Sequence, residues 1–390
     1  MKKRKIAVLA DFPLHLLRGL KVTEQKRHYA TWLPQIAEGW EKQKKCEIHW
    51  VILNSAAEQR VDIKQWNQMF HIMPTTTSCR ASTLYRKDRI TIGRVLNEIK
   101  PDLVHGWGTE EVYGFAAVLS EYPNIVSMQG ILSHYVLKSL MPLHSYWLAA
   151  LEIFVLWKAD RITVESEWGR RILKRRNPYA KISVIEYGVS NIFFKTKWKP
   201  EKQKPIFLFV GTPIRRKGIQ DLISAYRDKS LKKSELWVVG DGDSKWVKKQ
   251  KQMSSINTKW LGFKNQSEVA RLMSKAWALI LPTRADNSPN VIKEARVVGM
   301  TVITTNRGGQ GKYLNDKKDG HLIAPGNIKQ IREVISWTIK NYDKNKVMGK
   351  TGRKKFRKIF RAETQGQRIL QEYTGQKRFL GHAIKRRNLL

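Results

Sequence analysis

Short apolar runs rich in β-formers alternate with longer stretches of helical periodicity along the whole chain. That is the pattern of parallel sheets covered by helices. The runs fall into two series. The first predicts strands over residues 6–10, 47–53, 69–73, 102–105, 124–128, 161–164 and 182–185. The second predicts strands over 206–210, 236–239, 278–281, 302–305 and 321–323. Between them, the polar, lysine-rich stretch from Lys195 to Lys204, with Pro200 inside it and Pro205 after it, reads as a linker. The expected fold class is α/β, with two Rossmann-like, doubly wound parallel-sheet domains over 1–195 and 205–342 and a basic helical tail over 343–390. In such sheets ligands bind outside the carboxyl ends of the strands. Two sheets facing one another make a cleft, so chemistry is expected in the loops after Ala10, His105, Met128, Val210, Val239 and Leu281.

Composition narrows the partners. The 390 residues carry a formal net charge of +40, a field that attracts nucleic acid, anionic lipid and polyanionic glycans alike. From Lys344 onward there are fifteen Lys and Arg against two Glu. No apolar run reaches the ~18 residues of a membrane span. The basic start Met1-Lys-Lys-Arg-Lys leads into an apolar run that stops at Asp11, which reads as a first buried strand and not a signal peptide. The expected location is therefore cytoplasmic. Cys46 and Cys79 lack the spacing of a zinc site and read as reduced, structural thiols. Residues 136–157, rich in Leu, Trp and Tyr but broken by Lys138, His144 and Glu152, are too polar to span a bilayer. An interfacial helix and a buried core helix are both open readings there.

The segment from Thr283 to Glu294 carries the sharpest chemistry. Asp286 and Glu294 bracket a helix start, with Ser288 as expected N-cap and Pro289 at the first helical position. Across Ser288, Pro289, Asn290 and Val291 the free backbone N–H groups, which Pro289 lacks, mark an anion-binding helix end, with Asn287 beside it. The helix is expected to stop before Gly299, with an apolar stripe through Val291, Ala295 and Val298 and a wet face at Lys293 and Arg296. Asp286 merely favouring the helix dipole, and Glu294 pairing with a basic neighbour, is the bland alternative.

Read on through Gly299 to Thr305 and Gly308-Gly309, this stretch resembles the signature of the group 1 nucleotide-sugar glycosyltransferases, retaining enzymes of the GT-B fold. The family pattern is Glu, seven residues, Glu; here Asp286 fills the first place and Glu294 the second. After the strand at 206–210, Gly211-Thr-Pro-Ile-Arg-Arg-Lys-Gly218 resembles the family's phosphate loop. Lys217 and Gly218 match directly, Thr212 stands where Arg is usual, and Arg215 or Arg216 would take over the guanidinium role. Gly240 and the Gly262-Phe263 pair fall where the family places the nucleotide base, since glycine lets a base approach the backbone. The resemblance implies that Lys217 and Arg216 stabilise the departing diphosphate, Asp286 orients the donor sugar and Glu294 holds the ribose. It implies no cofactor: the nucleotide-sugar is a substrate, and no metal is expected. Asp241-Gly-Asp243 has Asp-x-Asp spacing but falls on the base side.

The first domain resembles the family less closely. His105, Glu110, Gln129 and Gly130 fall where acceptor-side loops belong, and Leu17-Arg18-Gly19 is a poor echo of the usual Gly-Gly acceptor loop. Many members carry His where this chain has Gln129, and glutamine cannot titrate, so no imidazole base acts there. The expected partners are a nucleotide-sugar donor, a glycan or lipid-linked acceptor and an anionic membrane surface at the inner face of the cell membrane, with no specific nucleic acid. Two other readings stand beside the transferase: a non-catalytic polyanion or nucleic-acid binding protein, and a sugar-nucleotide epimerase on the same fold.

Overall fold

Apolar runs of five or six residues become central strands because both faces of each sheet are covered. The computed structural model describes residues 3–20, 32–76, 80–137, 143–242 and 244–375. It divides into two units, residues 1–188 with 362–390, and residues 189–361.

The first unit contains β1 (Arg4–Leu9), α1 (Leu33–Gly39), β2 (Cys46–Asn54), β3 (Val61–Gln65), β4 (Gln68–Pro74), α2 (Arg86–Ile99), β5 (Leu103–Trp107), α3 (Val112–Leu119), β6 (Asn124–Met128), α4 (Leu132–Tyr135), α5 (Leu143–Lys158), β7 (Arg161–Val164), α6 (Glu167–Arg176) and β8 (Ile182–Val184). The sheet order is β3-β4-β2-β1-β5-β6-β7-β8. All neighbours are parallel except β3, which pairs antiparallel with β4. One core lies among α2, α3, α5 and α6; the other includes Trp40, Trp50 and Tyr373 on the opposite face.

The second unit begins with α7 (Asn191–Lys195) and continues with β9 (Ile206–Val210), α8 (Ile219–Tyr226), β10 (Glu235–Val239), α9 (Lys245–Gln252), β11 (Thr258–Gly262), α10 (Gln266–Lys275), β12 (Ala278–Leu281), α11 (Asn290–Val298), β13 (Thr301–Thr305), β14 (His321–Ile323), α12 (Ile328–Lys340) and α13 (Tyr342–Ile359). Its six parallel strands run β11-β10-β9-β12-β13-β14. Chain order reverses between β9 and β12, so the loops that follow these two strands lie side by side, where doubly wound sheets bind ligands.

The expected tail divides. α13 packs on α11 and β13 within the second unit, and α14 (Ala362–Thr374) packs on α1 in the first. Asn191–Lys195, expected at the end of the first domain, is the helix that opens the second unit. The strands β3 and β11 add to those expected. Cys46 is buried; Cys79, Asp243 and Lys138 lie outside the described residues. Among the described residues no helix is long and apolar enough to cross a membrane.

Candidate active site

The loop after β9 and the loop after β12 are stitched together through one backbone carbonyl. Arg216 O accepts from Arg284 N at 2.8 Å and from Thr283 Oγ1 at 3.0 Å. Gly218 closes the contact from the other side: its φ is +76°, and a Cβ there would stand 2.1 Å from Pro282 O. Arg284 in turn pairs with Asp221 on α8 at 2.6 Å. A glycine turn, a buried threonine and an ion pair to the buried Asp221 thus hold two loops that are 69 residues apart in sequence.

This registration brings three charges into one place. Lys217 Nζ donates to the Asp286 carboxylate. Arg216 lies 3.5 Å from the same carboxylate and donates to Ala285 O at 2.7 Å. Burial works against the Asp286 carboxylate, but Lys217 and Arg216 outweigh it and hold the pKa below the usual carboxylate value. Burial also pushes the Lys217 ammonium down, with Asp286 opposing. Asp286 itself is clamped by Gly308-Gly309: Gly309 N donates to Asp286 O at 2.9 Å, and at Gly308, with φ +141°, a Cβ would stand 2.1 Å from that oxygen.

Behind Asp286 the helix α11 begins one residue later than expected. Pro289 is the N-cap, and the Ser288 hydroxyl bonds the Tyr313 hydroxyl at 2.5 Å instead of capping the helix. The opening amides of a helix have no partner four residues back; Asn290 and Val291 occupy these positions, while Ile292 N bonds Pro289 O at 3.1 Å. The helix ends at Gly299 as its sequence implies. Its expected wet face is absent, because Lys293 and Arg296 are fully buried. Arg296 pairs with Asp319 at 2.9 Å and lies over the Phe356 ring of α13, and Lys293 donates to Asn290 Oδ1 at 3.0 Å. Glu294 is 9% exposed. Among the described residues no hydrogen bond or ion pair reaches its carboxyl group, and burial, opposed by Lys293, raises its pKa to about 7. A nearly buried acid without a protein partner is an open acceptor.

The remaining donor-side candidates border these loops. Thr212 and Arg215 are exposed, and the Arg215 guanidinium lies over Trp246, 5.6 Å from the ring centroid. Arg216 is therefore the arginine engaged with Asp286. Gly211 N bonds Val239 O at 3.0 Å and Gly240 N bonds Gly262 O at 2.9 Å, so the ends of β9, β10 and β11 converge. In front of Gly211 and Gly262 a Cβ would meet nothing within 4 Å, and Phe263 is 36% exposed. Asn287 is buried. Trp246, Asp221 and Arg284 were not among the candidates; only their contacts single them out.

In the first unit, Glu110 accepts from Gly130 N and Thr109 N, each at 3.0 Å, so Glu110, Gln129 and Gly130 do meet. A cavity of about 290 Å³ opens there at the carboxyl ends of β1, β5 and β6, with Asp11, Trp32, Trp107 and Glu111 also in its wall. Burial, with Asp11 adding to it against Arg80, raises the Glu111 pKa. His105 is removed from the acceptor-side candidates: it is fully buried between Ser127 Oγ at 2.8 Å and the Tyr373 hydroxyl of α14 at 2.6 Å. Burial pushes its pKa down to about 3. It ties α14 to the sheet as a neutral imidazole. Gly19 has φ +81°, and a Cβ there would meet nothing within 4 Å. Among the described residues no cluster of His, Cys, Asp and Glu could hold a metal ion.

The known proteins similar to this chain include glycosyltransferases. Residues 190–355 match the family described as "Glycosyl transferases group 1", and residues 31–191 match "Glycosyltransferase Family 4". An uncharacterized glycosyltransferase of Methanocaldococcus jannaschii is 32% identical over 39% of this chain and 43% of its own length. The Escherichia coli lipopolysaccharide glucosyltransferase WaaG is 27% identical over 37% of this chain and 40% of its own. The chain thus spans less than half the length of these relatives. The structure of Anabaena HepE in complex with UDP-glucose superposes with a TM-score of 0.72 at 16% identity, covering 95% of this chain and 100% of that one. The two parallel-sheet α/β units are those of the GT-B fold. Two family matches that together run from residue 31 to 355, over sheets of this topology, establish that the chain belongs to the group 1 glycosyltransferases.

Proposed function

We propose that the chain is a retaining glycosyltransferase that moves a sugar from a nucleotide diphosphate to a hydroxyl of a cell-surface glycan or lipid-linked acceptor, working in the cytoplasm at the inner face of the membrane. The observation that carries this reading is the Lys217–Arg216–Asp286 cluster in the loops before α11, together with the Glu294 carboxyl on that helix, which no hydrogen bond or ion pair reaches among the described residues. A nucleoside diphosphate supplies what each lacks. Its ribose hydroxyls donate to Glu294, and its phosphates meet the opening amides of α11 and the cations of the β9 loop. HepE, of the same fold, is seen with UDP-glucose, and WaaG is a lipopolysaccharide glucosyltransferase by name; both favour this class of donor and acceptor.

The chemistry follows from where charge grows. As the bond from the anomeric carbon to the phosphate oxygen breaks, the electron pair leaves with the diphosphate. Lys217 and Arg216 stabilise that charge more in the transition state than in the bound donor. Asp286, kept ionised by the same two cations, accepts from sugar hydroxyls and fixes the ring. The acceptor hydroxyl attacks the face the diphosphate leaves, and its proton passes to a phosphate oxygen, so no protein base is required. The basic pair does the work that a metal does elsewhere, and transfer proceeds without one.

The test is a screen of nucleoside diphosphates and their sugars for thermal stabilisation, followed by initial rates on Glu294→Ala and Asp286→Asn. Stabilisation by one base family is expected, weakened by Glu294→Ala and largely kept by Asp286→Asn, whose turnover falls. Stabilisation by none of them, or variants unchanged in both binding and rate, overturns the assignment.

A further inference from the structure

We propose that α5 seats the first unit on an anionic lipid surface. Along this helix Leu143, Tyr146, Trp147, Ile153, Phe154 and Trp157 recur at helical spacing, and all face solvent; Leu143 is 88% and Trp157 53% exposed. The opposite face, with Ala149, Leu151, Val155 and Leu156, packs into the core. Apart from exposed His144 and Lys158, the outer face of α5 is apolar, and among the described residues the helix is covered on its other side only. Its single acid, Glu152, is 1% exposed and caps α4 by accepting from Leu132 N at 2.9 Å and Ser133 N at 3.0 Å. No carboxylate interrupts the exposed face.

Charge complementarity selects the occupant. Asn177 Nδ2 donates to Leu156 O at 3.0 Å, which sets the basic end of α6 against α5, with Arg171, Lys174 and Arg175 exposed. Near the other end of α5, Trp147 Nε1 donates to Ala81 O at 2.9 Å, in the segment that leads into α2, where Arg86 and Lys87 are exposed. An aromatic stripe with cationic segments tied near each end fits the headgroup layer of an acidic bilayer, where indole and phenol rings rest at the interface and Lys and Arg meet phosphate. A second copy of the same face would oppose like charges. The surface lies wholly in the first unit, so this inference goes beyond the donor-site reading: a chain that binds vesicles but transfers no sugar would keep the one and lose the other.

The experiment uses the full chain with vesicles of phosphatidylcholine, alone or mixed with phosphatidylglycerol, at about 0.1 M and about 1 M salt. Co-sedimentation with acidic vesicles is expected, weaker by about tenfold or more in Leu143→Ser/Trp157→Ser and weaker at high salt. Arg171→Gln/Arg175→Gln should lose binding to acidic vesicles and much of its salt dependence. Thermal unfolding of each variant, and its stabilisation by nucleotide, should remain as in the parent, which separates lost docking from lost folding. Unchanged vesicle binding in the Leu143/Trp157 variant overturns the proposal, as does parent binding to neither vesicle, or a concentration-dependent dimer abolished by that variant.

Discussion

Replacing Glu294 with Gln should stabilise the empty protein while weakening its hold on the donor. Burial raises the folded-state pKa to about 7 from an ordinary value of 4.5, so between these values the native state binds a proton that the unfolded chain has released. Stability therefore falls as pH rises through this window, and the full penalty is present above pH 7. At ~1.4 kcal/mol per pKa unit, the penalty grows by about 2–3 kcal/mol between pH 5 and pH 8. Glu294→Gln removes the ionisation and keeps the shape, so its urea midpoint should exceed the parent's at pH 8 and approach it at pH 5. In thermal melts ~2–4 °C per kcal/mol is expected for a unit of this size. The same substitution converts an acceptor-only carboxylate into an amide with one acceptor oxygen, and nucleotide affinity should drop at pH 8. A difference in stability that is equal at the two pH values, or reversed, refutes the buried-carboxylate reasoning; undiminished affinity refutes the ribose contact.

Lys217→Ala and Arg216→Ala should lower transfer by about 10²–10³-fold with a smaller loss of donor binding, which single-turnover rates and calorimetry resolve. EDTA should leave the rate intact; abolition restored by Mg²⁺ or Mn²⁺ would assign the diphosphate charge to a metal. Gly218→Ala forces a Cβ to within 2.1 Å of Pro282 O at φ +76°, so a loss of more than about 2 kcal/mol in urea unfolding is expected, together with slower transfer as the Lys217 and Asp286 loops separate.

Most strands were legible as short runs rich in apolar β-formers, and β6, β7, β9, β12 and the edge strand β14 begin and end where the pattern places them. The edge strands β3 and β11 were not. β3 alternates half-buried and exposed residues and turns into β4 at Trp66-Asn67, both at positive φ, and β11 has no buried residue; an edge strand needs no apolar run. The two charges of α11 misled for a different reason: Lys293 and Arg296 fit a wet helix face until Asp319 and Phe356, distant in sequence, bury Arg296. Ser288 has the right chemistry for a cap, but Tyr313 takes its hydroxyl. His105, placed by its loop among acceptor residues, belongs to the core because Tyr373 of α14 covers it. The spacing of Asp286 and Glu294 stood out in the sequence, and Lys217 and Arg216 through the likeness of their loop to the family's phosphate loop. Which arginine engages Asp286 depends on a stack with Trp246 that no local spacing encodes.

The most direct measurement of the central claim is release of nucleoside diphosphate from a nucleotide-sugar panel, with and without a membrane extract as acceptor, by the parent chain and by Lys217→Ala and Asp286→Asn. One donor should be consumed, with release that rises when acceptor is added, with product anomeric configuration matching the donor by NMR, and with rates that collapse in both variants. Release from no donor, acceptor-independent conversion of the donor sugar, or an unchanged rate in Lys217→Ala would contradict the account.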